Sequence, residues 1–173
     1  MKNWKRLLIF IISAVVLVGV GSIITIAFNQ SKHVLPAAIN NKLAFSPLVI
    51  SDGSKIIADQ YRASNAQKDI QTLSFRAAFE GKKVSVTEQV QPGQFTDVAD
   101  YKSHFLSSAF TDYRTVQTAN GSIYVGPASK LQDQQIGVMV EKGLLVFFYP
   151  SKDLTDQDWR LIGDSLTVEN TSH

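Results

Sequence analysis

The chain has no cysteine among its 173 residues. That absence excludes disulfide frameworks, thiolate zinc sites, thiol catalysis and a lipid-modified cysteine anchor together. It fits an exported domain that relies on its own core. Phosphate-cradling signatures are missing as well: there is no Walker-type loop, and Gly19-x-Gly21 falls inside an apolar run instead of following a strand. Neither internal repeats nor low-complexity tracts occur. Charge of one sign is also lacking. Three of the 17 basic residues (Lys2, Lys5 and Arg6) precede the apolar run, leaving 14 basic against 15 acidic residues, a balance of −1. A near-neutral domain has no electrostatic footprint for nucleic acid, which requires clustered Lys and Arg to displace counterions. The pI near 8.8 therefore reflects the N-terminal flank.

One long hydrophobic run is present. Leu7 to Phe28 is uncharged, broken only by Ser13, Gly19, Gly21, Ser22 and Thr25. As a helix it would extend roughly 33 Å, the thickness of a bilayer hydrocarbon core. The basic flank before it predicts a cytoplasmic N-terminus, with the remainder on the extracytoplasmic side. A signal peptide would have a shorter apolar core, and Thr25-Ile26-Ala27 is a poor cleavage site, so retention as a single-pass anchor is expected. The small pair Gly21 and Thr25 has the spacing of a helix-packing motif, but such pairs arise readily in apolar runs. Only about six residues remain for the cytoplasm, too few for a signalling or DNA-binding domain there. The expected organisation is a basic flank (1–6), a transmembrane helix (7–28), a tether (29–44), an extracytoplasmic domain (45–169) and a short tail (170–173).

Within the domain the fold class reads as α+β: an antiparallel β-sheet with packed helices. The tether is polar, with the prospect of a helical turn near its end. Leu48-Val49-Ile50 leads into the turn Ser51-Asp52-Gly53-Ser54, followed by the apolar pair Ile56-Ile57. Phe75, Ala77 and Phe79 alternate, as do Val84, Val86, Glu88 and Val90, with Glu80-Gly81-Lys82 between them; this predicts a hairpin. Pro92-Gly93 ends it. Val98, Tyr101, Phe105 and Ala109 have helical spacing, with Asp97 as the expected N-cap. Asn120-Gly121 predicts a second hairpin with a type I′ turn. Ile136–Val140 and Leu144–Tyr149 predict a third across Glu141-Lys142-Gly143. The run Leu144–Tyr149 is apolar on both faces, as in a central strand covered on each side. Thr155 and Asp158 have the spacing of a capping box, with Leu154 and Trp159 as its staple. Trp159, Ile162, Gly163 and Leu166 then line one helix face.

The strings GKKVSVTEQ (Gly81 to Gln89), ANGSIYVG (Ala119 to Gly126) and QIGVMVEKGLLVFFYPSKDLTDQDWRLIGDSL (Gln135 to Leu166) resemble an uncharacterised extracytoplasmic domain family. Its members are small, bacterial, single-pass membrane-anchored proteins. The resemblance runs from about Phe45 to Val168 and rests on turns, strands and caps, which specify fold more than activity. It implies an envelope location and supplies no active residues.

The chemistry-bearing clusters each have an ordinary explanation. Asp153, Asp156 and Asp158 lack calcium-loop spacing, and negative charge suits a helix's first turn. His104 stands four residues after Asp100, near Ser103, Ser107 and Ser108, but no Gly-x-Ser-x-Gly elbow or oxyanion-hole signal accompanies them. His33 lies in the tether and His173 at the terminus. Glu80 and Glu88 could form a glycosidase pair only across a cleft, and a turn and a strand face account for them. Asn29, Asn120 and Asn170 begin glycosylation triplets, which matter only in a glycosylating host. Tyr61, Tyr113, Tyr124 and Tyr149 suit either a recognition surface or the core. No catalytic, metal or cofactor-binding residue is therefore assigned. The expectation is a non-enzymatic interaction module, with an envelope protein as partner and the bilayer contacted through residues 7–28. A lipid- or peptide-binding carrier is the alternative, and a hydrolase built on His104 is a more distant one.

Overall fold

The computed structural model describes residues 35–51, 53–67, 70–97, 100–131 and 134–169. The expected span at 7–28, the flank before it and the tail at 170–173 lie outside the described residues. Among the described residues no helix is long and apolar enough to cross a membrane.

The elements run α1 (Ala37–Asn40), β1 (Leu48–Ile50), β2 (Ile57–Gln67), β3 (Ile70–Phe79) and β4 (Lys82–Val90). Then come α2 (Gln94–Asp97), α3 (Tyr101–Ala109), β5 (Arg114–Thr118), β6 (Gly121–Pro127), β7 (Gln135–Glu141) and β8 (Leu144–Pro150), and finally α4 (Asp156–Asp164) and β9 (Leu166–Val168). Strands β2 to β8 form one antiparallel sheet in the order β2-β3-β4-β8-β7-β6-β5, while β1 pairs with β9 in a separate two-stranded sheet. The architecture is α+β, dominated by antiparallel strands. Strand β8 is the middle of seven and is buried on both faces, as its continuous apolar run requires.

Two turns follow from backbone chemistry. Glu80-Gly81 and Lys142-Gly143 each hold two successive residues at positive φ, the type I′ geometry that matches strand twist. The register agrees, with Phe79 opposite Lys82 and Glu141 opposite Leu144. The β5–β6 hairpin differs from expectation. Thr118 pairs with Gly121, so Ala119-Asn120 forms the turn, and Asn120 is not at positive φ. Its side chain has a tertiary role instead. The amide donates to the carbonyls of Gly163 (2.9 Å) and Leu166 (2.7 Å), tying the hairpin to the end of α4 and the start of β9.

The two sheet faces have different cores. The front face carries Leu73, Phe75, Val84, Val86, Val146, Phe148, Met139 and Ile123. It is covered by α4 through Trp159 and Ile162, and by the stretch from Leu35 to Ile50. Leu35, Asn40 and Leu43 are buried there, so the described part of the expected tether is packed into the domain, and α1 supplies the helical turn near its end. The back face carries Val138, Val140, Leu145, Phe147 and Ile136 beneath Tyr101, Phe105 and Leu106 of α3. Phe105 meets Phe147 edge-on, with ring centroids 6.2 Å apart.

The expected first helix is divided. Asp97 ends the short α2, and α3 begins only after Asp100, whose backbone is left-handed (φ 63°) and whose side chain makes no cap bond. Helix α4 follows its sequence grammar. The Thr155 hydroxyl accepts from the Asp158 N–H, and the Asp158 carboxylate accepts from the Thr155 N–H at 2.9 Å. Leu154 and Trp159 are both buried in the front core. Gly137 on β7 makes room for that tryptophan: a Cβ there would stand 2.7 Å from the indole ring.

Candidate functional site

The acidic cluster at the start of α4 is distributed among separate contacts. Asp156 is 2.8 Å from Arg114 of β5, Asp158 is 2.6 Å from Lys82 of β4, and Asp153 is exposed. Burial alone would raise the Asp158 carboxyl. The hydrogen bond from Lys82, those from the Thr155 N–H and hydroxyl, and the Lys82 charge outweigh it and hold the group below its usual value. Among the described residues no group of three or more potential metal ligands is gathered.

His104 lies on the exposed side of α3, with Ser103 and Ser107 also exposed. The Ser107 hydroxyl donates to the Ser103 carbonyl, and the Ser108 carbonyl accepts from the Ser129 hydroxyl. Glu80 sits at an exposed turn. Glu88 is six residues up β4 from Lys82, which places it roughly 20 Å away along the strand. Glycoside chemistry requires two carboxyls within about 10 Å of each other. Tyr61 packs on Phe75 and Tyr149 stacks with Phe147, while Tyr113 and Tyr124 meet edge-on near the surface. Burial pushes the Tyr149 hydroxyl well above the ordinary phenol range.

Two features stand out once the strands are assembled. The first is Glu88, which is 0% exposed on the front face between Leu73 of β3 and Val146 of β8. Its Oε2 accepts from the Leu48 N–H at 2.9 Å, at the start of β1. Its Oε1 is buried without a hydrogen-bond partner. Burial raises the Glu88 carboxyl well above the ordinary glutamate value, and the Leu48 bond opposes this only in part. Its signal in the sequence was the alternation itself, since Val84 and Val86 already pointed that face inward.

The second feature is the half of the back face formed by β2, β3 and β4, which is open from Arg62 and Ser74 toward Lys83 and buried at its other end, where Thr72 pairs with Gln89. Register places Arg62 opposite Ser74 and Ser74 opposite Thr87, with Arg76 opposite Ser85 and Ala78 opposite Lys83. The ladder continues from Thr87 and Ser85 to Phe147 and Tyr149 of β8, beside α3. Arg62, Arg76, Lys83 and Ser85 are exposed. Among the described residues none of the three cations makes an ion pair. A β-bulge in β2, with Gln60 left-handed at φ 57°, turns both Asp59 and Arg62 to this face. Front-face packing by Ala58, Tyr61 and Ala63 fixes that assignment. This surface can hold polar and anionic groups.

No family model matches the chain, and neither the curated proteins nor the solved structures give a match.

Proposed function

We propose that this protein is a single-pass, membrane-anchored interaction module whose extracytoplasmic domain is an accessory subunit of an envelope complex; from the resemblance noted above the proposal takes the envelope location alone. One observation carries the reading: the apolar faces of the domain are occupied by its own side chains. Trp159, Phe105, Phe148, Leu145 and Ile162 are each almost wholly buried. A lipid carrier needs an apolar-lined cavity that its cargo fills. Here the large side chains fill both core clusters, and the uncovered part of the sheet is mostly polar, with Ile57 as an exposed apolar side chain at its Lys83 end. A surface of that kind suits recognition of a macromolecule, with the anchor raising the local concentration of partners in the same membrane.

The test is co-purification from native membranes in mild detergent, comparing the full chain with one beginning at Ser31. A reproducible partner retained by both places the contact in the domain. A partner kept by the full chain alone places it at the anchor. A full chain that emerges alone overturns the reading.

A further inference from the structure

The geometry points to the uncovered β2–β3–β4 half of the back face as a docking trough for an extended acidic segment of a partner protein, gripped by Arg62, Arg76 and Lys83. This rests on the reading of the domain as an interaction module and specifies the chemistry of the partner.

The three cations form a diagonal. Arg62 is opposite Ser74, two residues from Arg76 on β3; Arg76 is opposite Ser85, two residues from Lys83 on β4. Each step is therefore one strand across and two residues along, a separation of about 7–8 Å between Cα atoms. In an extended peptide the side chains on one side repeat at about 6.5–7 Å. Acidic residues at alternate positions of such a peptide would meet the three cations in turn. The whole stripe is roughly 15 Å long, too long for a single small anion and matched by about five extended residues. Asp59, opposite Arg76, is the one acid on this half-face among the described residues, so the local balance stays positive within a domain that is near neutral overall. The exposed hydroxyl of Ser85 and the half-buried Ser74 and Thr87 lie between the cations and can pair with a peptide's polar groups.

Shape favours a peptide over a lipid surface. Helix α3 packs on the same face over β7 and β8, so a step about one helix diameter high, ~10 Å, borders the floor. A planar bilayer resting on that step would stand off the floor at a distance where exposed charges are largely screened at physiological salt. A single extended chain fits beside it.

The experiment uses the full chain in nanodiscs of phosphatidylcholine. Two fluorescent peptides of equal composition are titrated, one alternating Glu and Thr and the other with the same residues in two blocks. The expected result is salt-sensitive binding that favours the alternating peptide and weakens by about tenfold or more in the R62S/R76S/K83S variant. A control variant, K42S/K130S/K152S, removes three cations elsewhere and should bind as the parent does. Equal loss in both variants, no loss in the first, or no preference for alternation would overturn the proposal. So would capture of phosphatidylglycerol vesicles through the same three residues without binding of either peptide. Repeating the native-membrane co-purification with R62S/R76S/K83S separates the two levels. A partner retained by that variant overturns this trough but leaves the interaction module standing, whereas a parent chain without partner overturns the module itself.

Discussion

Glu88 faces inward because strand geometry gives it no choice. Val84 and Val86 belong to the front core, and period-two alternation carries the next side chain on that face, a carboxyl, into the same layer. A lone carboxylate in an apolar interior is strongly disfavoured, so burial favours the protonated form of the group. The bond from Leu48 N–H to Oε2 offsets part of the cost and fixes the start of β1 over the sheet. The folded-state pKa is raised above the unfolded value, so the unfolded chain releases its proton first as pH rises. Stability from this group is therefore highest below the ordinary glutamate value, near about 4.3, and falls as pH climbs toward the folded value. Glu88→Gln keeps an acceptor for Leu48 and cannot ionise. Urea unfolding from about pH 5 to about pH 9 should show the parent losing stability relative to the variant, step by step with pH. Identical slopes for the two proteins would mean that the carboxyl is not titrating from a dry site.

Helix α4 shows how much of an element local grammar can specify. Its capping box forms as expected, Leu154 and Trp159 share the front core, and Ile162 and Gly163 are buried with them, whereas Leu166, expected on the same helix face, stands in β9 opposite Ile50. Thr155→Ala removes one half of the box and should cost about 1 kcal/mol, read from the shift in urea midpoint. Asp158 adds a pH signature of opposite sign to that of Glu88. Its pKa is lowered, so its contribution is present above the ordinary aspartate value near about 3.9 and is lost as pH falls through the lower folded value. Asp158→Asn should flatten the acid limb of the stability profile, and an unchanged limb would assign acid unfolding to other carboxyls. Legibility fails where an element depends on its neighbours. Strand β2 reads IADQYRASNAQ, with no sustained alternation, because it is an edge strand and because the bulge at Gln60 shifts its phase midway. The apolar pair Ile56-Ile57 divides, with Ile56 buried and Ile57 72% exposed. Strand β9 continues straight from α4 and exists only because β1, over a hundred residues earlier in the chain, lies beside it. Asn120 reads as a turn former, but its side-chain bonds to Gly163 of α4 and Leu166 of β9 depend on how the hairpin and the helix meet. The cationic diagonal is only half legible: the Glu80-Gly81 turn sets Arg76 against Lys83, but Arg62 joins them through β2, whose register shifts at the bulge.

At the scale of the whole molecule, the two ends of the described chain close the front face together. Residues 35–50 and β9 come from opposite ends of the sequence. They meet through the β1–β9 pairing, through the Glu169 N–H donating to the Pro47 carbonyl at 2.8 Å, and through the Ser51 N–H donating to the Ser165 carbonyl at 2.7 Å. The Ala44 N–H reaches the Gln71 side chain on β3 at 2.6 Å, and Leu48 reaches Glu88 on β4. The stretch leading toward the N-terminus is thus fastened to β3, β4 and β9. Beneath it lie Leu73, Phe75, Val84 and Val86, which would face water without it. Burying each such side chain is worth about 1.5–3 kcal/mol, and a small domain's net stability is only about 5–15 kcal/mol. A chain beginning at Ser51 loses Leu35, Leu43, Phe45, Leu48, Val49 and Ile50 from the core at once, a loss of about 9–18 kcal/mol against that margin. It should lack cooperative urea unfolding and near-ultraviolet circular dichroism, while a chain beginning at Ser31 keeps both. Cooperative unfolding of the shorter chain would show that the front face can close without its N-terminal cover, and that residues 35–50 act as a separable linker. The opposite result would make the cover part of the folding unit, with Leu35, Leu43 and the Ala44–Gln71 bond holding it to the sheet ahead of β1 and Glu88.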